Sequence, residues 1–292
     1  MQTTRGITII RRLSPGGALY IDGGSIQYSL IFDRHSLSLP EYIEDSYSIL
    51  GGGVIEALNS MGVKAEFQPI NDLVVLGKKI SGASQRRMYH AILHHGTISV
   101  NTRLDILEQV LKPSELKLKA QGFPNLKERI TTLSREIGGD VPIGAFKQQL
   151  VKGFERILNV DFTVGVPSPW EMQTAKELCE EKYRKLEWIF SETTPRLDVF
   201  SRYKAAKGLI NVSLAFRSDR IEELKISGGF ILHPDNAVQE LERGLRGEAL
   251  DQETLQNKIE ELFAVKGIQA VGVLPEDFAR AIMLAYLGSQ SM

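Results

Sequence analysis

The segment Asn71–Thr97, NDLVVLGKKISGASQRRMYHAILHHGT, contains two apolar strand patterns, a pair of lysines and a pair of histidines. Its residues Leu73–Leu76 are too few and too β-branched for a helix, and Gly77 indicates a hairpin turn. A second strand then continues through Ile80. Lys79 is therefore predicted to lie on a sheet, which makes it a candidate for a rigidly held functional cation.

The residues that follow Lys79 are small, namely Ser81, Gly82, Ala83 and Ser84. Small residues allow a ligand or another strand to approach the backbone closely. This pattern predicts a cradle for an acyl or phosphate group beside the lysine. The alternative is a solvated lysine after a hairpin glycine, and this stretch alone leaves both interpretations open.

Size and composition exclude several classes of protein. A chain of 292 residues can form one large domain and a smaller one, and its 35 basic and 36 acidic residues indicate no nucleic-acid or anionic-membrane partner. No apolar run approaches the roughly 18 residues that span a bilayer, and the start lacks a signal-peptide pattern. We expect a cytoplasmic protein. The single cysteine, Cys179, forms no internal disulfide and is one possible thiol nucleophile.

Near the N-terminus, alternation over Gly6–Arg12 predicts a strand that ends in two arginines. Residues 14–17 (SPGG) then predict a turn, and Ala18–Asp22 a second strand. Glycine amides beside guanidinium groups commonly hold a phosphate or a carboxylate. A plain hairpin with solvated arginines is the alternative. A third, largely buried strand is expected at Ile26–Phe32.

A helix is predicted from Glu41 to about Met61, although Gly51, Gly52 and Gly53 interrupt it. No GKS or GKT follows these glycines, so they predict a kink or close packing on the sheet and not a P-loop. The other expected strands lie at Val63–Phe67 and Tyr89–Val100, and the expected helices at Arg103–Leu111, Leu126–Ile137, Ile143–Leu158 and Glu171–Trp188.

The histidines of the strand-like run at 89–100 are His90, His94 and His95. Adjacent strand residues point to opposite faces, so His94 and His95 cannot form a ligand pair, and no nearby cysteine or carboxylate completes a site. A packing or hydrogen-bonding role is therefore expected instead of metal binding.

A linker is predicted from Ser191 through the mixed-charge stretch to Lys207. Beyond it, strands are expected at Gly208–Arg217, Arg220–Ile226 and Gly228–Leu232, and helices at Asn236–Gly244, Asp251–Phe263 and Pro275–Leu287. The expected fold class is α/β (α+β), with a mixed β-sheet flanked by helices. Residues 1–195 are expected to form the larger domain, and residues 196–292 a small C-terminal α+β accessory domain.

Two motifs in this order resemble the lipoate-protein ligase family. RRLSPGGALYIDGG at 11–24 is similar to the family's arginine and glycine signature, and residues 71–97 are similar to its lysine motif. LKLKAQGFPNLKERITTL at 116–133 and EEKYRKLEW at 180–188 also resemble family segments. The resemblance implies a biotin/lipoate ligase fold, with residues 1–195 as the catalytic domain. It also implies an enzyme that activates lipoate with ATP and Mg²⁺ to lipoyl-adenylate and then releases AMP. The acyl group would then pass to a lysine of an apo lipoyl carrier domain, as in E2 subunits of 2-oxoacid dehydrogenases and the glycine cleavage H protein.

The resemblance also implies roles by motif position. Lys79 is the implied catalytic lysine, which bridges the acyl carboxylate and the phosphate. The implied nucleotide-binding residues are Arg12, Gly17, Ala18, Leu19, Tyr20, Asn71, Asp72 and Lys79. The implied lipoyl-binding residues are Ser14, Gly16, Lys79, Ser81, Gly82, Ala83, His95 and Gly96. Asp72 is the implied metal contact.

The chain departs from the family pattern at Pro15, Ile21 and Ser25, where the family commonly has glycine, histidine and asparagine. Family members also carry a segment ahead of the arginine pair that walls part of the acyl pocket. Three interpretations are open: the start of the chain is mis-set, a second chain supplies the segment as a partner, or the pocket is open and the activity weak. Two rival functions remain open: an octanoyl or lipoyl amidotransferase of the same fold, which would need Cys179 as nucleophile, and a non-catalytic or split-enzyme lipoyl-binding relative.

Overall fold

The computed structural model describes residues 6–14, 16–33, 35–37, 39–40, 42–88, 90–111, 125–190, 197–206 and 208–290. The chain divides into two compact units, Met1–Pro15 with Thr163–Met292 and Gly16–Phe162. Within the described residues, no helix is both long enough and apolar enough to cross a membrane. Residues 191–196 are outside the described ranges, so the domain division between 195 and 196 stays a prediction.

The unit Gly16–Phe162 is built on a five-stranded sheet. Its elements are β1 (Ser25–Asp33), α1 (Ile43–Ser60), β2 (Glu66–Gln68), β3 (Asp72–Val75), β4 (Lys78–Met88), β5 (Ala91–Ser99), α2 (Leu104–Val110), α3 (Leu126–Arg129), α4 (Leu133–Ile137) and α5 (Ile143–Leu158). The strand order is β1-β5-β4-β3-β2, and each neighbouring pair is antiparallel. Among the described residues, a parallel bridge joins Lys79 to Ile130. The expected α/β class, with helices flanking the sheet, is confirmed.

The hairpin that the sequence predicts at Gly77 is confirmed, although Leu76, which was expected in the first strand, lies in the two-residue turn. Val75 pairs with Lys78, and Leu76 and Gly77 between them have φ values of 48° and 77°. Positive φ at both central positions is the requirement of a type I′ turn, and glycine meets it without strain. The turn is exposed, and it places Lys79 as the second residue of β4. The prediction that Lys79 lies on a strand is confirmed.

Helices α1 and α5 cover one face of this sheet through a shared apolar core. The core includes Ile26, Val54, Leu58, Ile98, Phe146 and Phe154. Helix α1 runs through its three glycines without interruption. A Cβ at Gly53 would overlap the Phe154 ring, and a Cβ at Gly51 would lie 3.3 Å from Leu73 Cδ2. The predicted close packing of the glycine triplet is therefore confirmed: these glycines let α1 approach both the sheet and α5.

The other unit combines helices with small antiparallel sheets. Its elements are α6 (Pro169–Leu178), a π-helical turn (Cys179–Tyr183), α7 (Leu186–Ile189), β6 (Val199–Lys204), β7 (Leu209–Arg217), β8 (Arg220–Gly228), β9 (Ile231–His233), α8 (Ala237–Gly244), α9 (Gln252–Val265), β10 (Gln269–Val271) and α10 (Pro275–Gln290). Strands β6, β7 and β8 form one sheet in that order, and β9 pairs with β10. Ile210, Leu214, Leu241, Ile259 and Ile282 form its core.

Several predictions near the chain start are wrong. The described part of Gly6–Arg12 contains a single bridging residue and no strand, and Ala18–Asp22 is irregular. The Arg11 carbonyl accepts from Trp188 Nε1, and the Asp22 carboxylate accepts from Gly24 N and Arg103 N. These groups are therefore engaged outside any strand ladder. Strand β1 is half-exposed and not largely buried, because it is an edge strand with water on one face.

Other boundaries also differ from the prediction. The predicted linker contains β6, which pairs with β7, because a mixed-charge strand can still pair when alternate residues face solvent. Helix Leu126–Ile137 divides into α3 and α4, because Thr131 N donates to Lys79 O (2.9 Å) and Thr132 caps α4. Helix Glu171–Trp188 begins earlier, at Pro169, and the π-helical turn interrupts it. Strand β2 is shorter than Val63–Phe67 and shifted toward Gln68.

Candidate active site

Lys79 is held by a carboxylate on the neighbouring strand. Its Nζ lies 2.5 Å from Asp72 Oδ1, and the two side chains are 26% and 19% exposed. Asp72 begins β3 and Lys79 nearly begins β4, so the type I′ turn that joins these strands determines their proximity. A charge-assisted hydrogen bond in a partly desolvated position fixes the ammonium more firmly than a solvated lysine would be fixed.

A second cation, Arg129, contacts the other oxygen of the same carboxylate. Arg129 Nη2 lies 3.4 Å from Asp72 Oδ2, and its side chain is 16% exposed. Asp72 therefore lies between an ammonium and a guanidinium. Arg129 is not among the predicted site residues, although it belongs to the segment 116–133 that resembles the family. That resemblance was the available signal.

Gly82 provides the space that the Lys79 ammonium occupies. A Cβ at this position would overlap Lys79 Nζ and would lie 3.2 Å from Asp72 Oδ1. Gly82 also pairs with Asp72 across the β3–β4 ladder. The group that approaches Gly82 is the lysine of the same strand, so the approach of a ligand to the small residues stays a prediction.

The two faces of the sheet separate the predicted lipoyl-binding residues. We call the side with Lys79, Asp72 and Gly82 the lysine face, and the side against α1 and α5 the helix-covered face. His95 lies on the lysine face by strand alternation. Gly96 lies on the helix-covered face, where Tyr28 lies against it. Ser81 and Ala83, the neighbours of Gly82, also point to that side, and Ser81 Oγ is buried with no hydrogen-bond partner among the described residues.

Asn71 fastens the start of the lysine motif to β4. Its Nδ2 donates to Ala83 O (2.6 Å), and its backbone carbonyl accepts from Ala83 N (3.0 Å). The side-chain amide that the resemblance assigns to the nucleotide is thus engaged by the sheet. This contact supports the geometry of Asp72, the next residue along the chain.

The arginine pair is tied to α7. Arg11 Nε donates to Ile189 O (3.0 Å), and Trp188 Nε1 donates to Arg11 O (3.0 Å). Arg12 Nε donates to the buried Ser14 Oγ (3.2 Å), and burial lowers the pKa of Arg12 from its usual value. These arginines belong to one compact unit and Lys79 to the other, so their convergence on one ligand stays a prediction.

The glycine-rich stretch after the arginines is exposed and irregular. Residues 16–19 are exposed, and Tyr20 is partly buried against a small apolar cluster that includes Leu104, Leu107 and Leu126. Desolvation, followed by the charge of Asp22, raises the pKa of Tyr20. Of this stretch, Tyr20 is therefore the residue that packs against the short helices α2 and α3.

A buried polar network lies on the helix-covered face. It confirms the hydrogen-bonding role expected for His94, whereas its partners Tyr28 and Gln85 were not predicted. His94 Nε2 lies 3.3 Å from Tyr28 Oη, and His94 Nδ1 lies 3.1 Å from Gln85 Nε2. Gln85 Nε2 also donates to Ser46 Oγ (3.0 Å). Because an amide nitrogen can only donate, Nδ1 is the acceptor and the imidazole is neutral with its proton on Nε2. Burial lowers the pKa of His94 to about 3, which agrees with the neutral form.

The described residues do not form a magnesium site in this arrangement. They contain no group of three or more histidine, cysteine, aspartate or glutamate side chains that can hold a metal ion. Both oxygens of Asp72 are engaged by cations, whereas Mg²⁺ needs free carboxylate oxygens or substrate phosphates. A metal contact at Asp72 stays a prediction from the resemblance.

Two family profiles match the chain. Residues 2–155 match the lipoyl protein ligase A/B catalytic domain, and residues 194–282 match the bacterial lipoate protein ligase C-terminus. The chain therefore belongs to the lipoyl protein ligase A/B catalytic-domain family. The expected class of enzyme, a lipoate-protein ligase, is confirmed.

Individual relatives agree with this assignment. Lipoate–protein ligase 1 of Staphylococcus aureus (strain Mu50) is 28% identical over 255 residues, which are 87% of this chain and 75% of the relative. Octanoyltransferase LipM of Brevibacillus brevis is 25% identical over 208 residues, 63% of this chain and 75% of the relative.

Solved structures are similar as well. A lipoate-protein ligase A bound with ATP is 28% identical, with a TM-score of 0.55 and coverage of 64% of this chain and 73% of that chain. A bi-partite lipoate protein ligase from Thermoplasma acidophilum, described together with its E2 lipoyl domain, is 29% identical, with a TM-score of 0.55 and coverage of 63% and 71%.

Proposed function

We propose that this chain activates lipoate with ATP to lipoyl-adenylate and then transfers the lipoyl group to a lysine of a lipoyl carrier domain. The observation that carries the proposal is Lys79, whose ammonium is held on β4 by Asp72 in the space left by Gly82. The relatives named as lipoate-protein ligases, one of them bound with ATP, support the same reaction.

In the first step, a lipoate carboxylate oxygen attacks the α-phosphorus of ATP, and the bond from that phosphorus to the pyrophosphate oxygen breaks. The two reacting groups are both anionic, so their approach is opposed by charge repulsion. A fixed ammonium at Lys79 lowers this repulsion and stabilises the negative charge of the transition state without reorganising. The hairpin position of the lysine provides that rigidity.

In the second step, the neutral amine of the carrier lysine attacks the acyl carbonyl carbon, and the bond from this carbon to the AMP oxygen breaks. The amine loses a proton, and AMP leaves. The Lys79 ammonium can stay with the phosphate throughout, because the leaving group remains an anion. One fixed cation therefore serves both steps.

The proposal is tested by incubating the purified chain with ATP, Mg²⁺, lipoate and an apo lipoyl domain, followed by mass spectrometry of the lipoyl domain. We expect a mass gain of one lipoyl group that requires ATP. No gain under these conditions overturns the proposal for the chain on its own. A gain that requires an added second chain supports a split enzyme, as in the bi-partite relative.

A second candidate is acyl transfer through a cysteine thioester, which the similarity to an octanoyltransferase favours. Cys179 would have to be the nucleophile, and it lies half-buried at the start of the π-helical turn. Cys179→Ala separates the two candidates. We expect this variant to lipoylate at an unchanged rate and with the same need for ATP. The thioester reaction would be established if the variant lost transfer and the unsubstituted chain transferred octanoyl groups without ATP.

A further inference from the structure

Arg129 is placed beside Lys79 by the backbone and not by its own flexible chain. It ends helix α3, whose first turn is capped by Asn125, and the next residue, Ile130, forms the parallel bridge with Lys79. Thr131 N then donates to Lys79 O. This bridge, to which the Thr131 N hydrogen bond belongs, therefore fixes the position from which the Arg129 side chain starts.

The three charged side chains of this cluster do not balance. Lys79 and Arg129 each contribute one positive charge, and Asp72 contributes one negative charge. In a position where these side chains are between 16% and 26% exposed, solvent compensates the excess charge only in part. The cluster therefore favours an additional anion.

Arg129 also has hydrogen-bonding capacity to spare. A guanidinium group has five N–H donors in a planar fork, and among the described residues the side chain of Arg129 contacts Asp72, at 3.4 Å. Such a fork suits the two oxygens of a phosphate, while an ammonium acts as a point charge. The guanidinium of Arg129 and the ammonium of Lys79 share the Asp72 carboxylate, and a phosphate placed between these two cations could contact both.

We propose that Arg129 is a second phosphate-binding cation of this site, which together with Lys79 holds the phosphate of the nucleotide. The inference rests on the proposed function for the nature of the ligand, a nucleoside phosphate. Asp72 pairs with both cations, one at each of its carboxylate oxygens. When the nucleotide binds, the phosphate takes over part of the charge compensation that Asp72 provides.

The test compares the binding of AMP and adenosine by calorimetry, in EDTA, so that neither lipoate chemistry nor a metal ion contributes. The ratio of the two dissociation constants reports the contribution of the phosphate. We expect the unsubstituted chain to bind AMP at least about tenfold more tightly than adenosine, since a charged hydrogen bond is worth about one factor of ten or more. Arg129→Gln should reduce this ratio by about tenfold, and Arg129→Lys should restore part of it.

Arg156→Gln is the matched control, because Arg156 pairs with Glu56 on an exposed surface of the same unit. We expect its ratio to equal that of the unsubstituted chain. AMP and adenosine are measured on the same preparation of each variant. Partial unfolding therefore affects both measurements equally and leaves the ratio of the two dissociation constants unchanged. An equal ratio in Arg129→Gln and the unsubstituted chain would overturn the inference, as would equal binding of AMP and adenosine by the unsubstituted chain. A phosphate preference without lipoylation would instead refute the proposed function and leave the role of Arg129 intact.

Discussion

The two faces of the five-stranded sheet use polar groups in opposite ways. On the helix-covered face, Tyr28, His94 and Gln85 form a buried, neutral network in which the imidazole has a hydrogen-bond partner on each nitrogen. On the lysine face, Lys79, Asp72 and Arg129 form a charged cluster that is partly exposed. Adjacent residues of one strand, such as His94 and His95, therefore belong to different environments.

The difference predicts that one face of the sheet serves stability and the other serves the proposed chemistry. A buried polar group stabilises a fold when its partners are complete, and it becomes costly when one is lost. A cation that must act on a substrate needs a fixed position, but it also needs hydrogen-bonding capacity that the protein does not use. Changes on the helix-covered face should therefore act on stability, and changes on the lysine face should act on activity.

The largest effect is expected for Lys79→Ala. Removal of a preorganised cation from the reacting groups should lower the rate of lipoylation by at least about a hundredfold. The free energy of unfolding should change by less than about 1 kcal/mol, because the pair with Asp72 is partly exposed. Enzyme assays and denaturant unfolding measure the two quantities.

Lys78→Ala is the matched control for this variant. Lys78 is the preceding residue of β4 and is exposed, so its removal should leave both the rate and the stability unchanged. If Lys79→Ala is unfolded, or if both lysine variants lose activity equally, the assignment of Lys79 to the chemistry is wrong.

A pair of glycine variants makes the comparison between the faces sharper. At Gly82, a methyl group would displace the flexible end of Lys79, so Gly82→Ala should cost little stability but reduce activity about tenfold or more. At Gly96, a methyl group would overlap the Tyr28 ring, which packs on Phe154 (ring centroids 5.1 Å apart). Gly96→Ala should therefore lower the free energy of unfolding by about 1–3 kcal/mol, as overpacking does. The reverse assignment of the two effects would contradict the separation of the faces.

The buried imidazole predicts a pH dependence of stability. The pKa of His94 is about 3 in the folded protein, whereas an unfolded histidine has its ordinary value of 6.5. Below pH 6.5 the unfolded chain binds a proton that the folded chain does not, so the stability from this group is present above pH 6.5. It is lost progressively as the pH falls toward about 3, with a slope of at most about 1.4 kcal/mol per pH unit.

This dependence is measured by denaturant unfolding between pH 7 and pH 5 for the unsubstituted chain, His94→Gln and the control His35→Gln, since His35 is exposed. We expect the decline on acidification to be shallower in His94→Gln only. NMR of the unsubstituted chain should show one histidine that does not titrate above pH 5. Titration of all five histidines near pH 6.5 would refute the neutral network.

The sequence predicted the parts of the site that are encoded locally. The β3–β4 hairpin follows from alternation and Gly77, and α1, α5 and the helices of the C-terminal unit follow from apolar spacing and their boundaries. The resemblance predicted the family, because two motifs in the right order were present in the sequence.

The remaining features depend on contacts between distant residues. Alternation over Gly6–Arg12 and Ala18–Asp22 suggested strands, but a strand also needs a partner, and sequence periodicity does not identify one. Arg129 lies beside Lys79 because of the bridge between Ile130 and Lys79, which are 51 positions apart, and sequence periodicity does not predict that contact. The pairing of Gly96 with Tyr28 likewise depends on the β1–β5 register. Whether the arginine pair meets Lys79 stays a prediction.

The most direct test of the central claim is lipoate-dependent exchange of labelled pyrophosphate into ATP, which isolates the first step. If the Lys79 ammonium neutralises the carboxylate and the phosphate as they join, the unsubstituted chain and Lys78→Ala should exchange pyrophosphate at the same rate. Lys79→Ala should be slower by at least about a hundredfold. Undiminished exchange in folded Lys79→Ala would contradict the account.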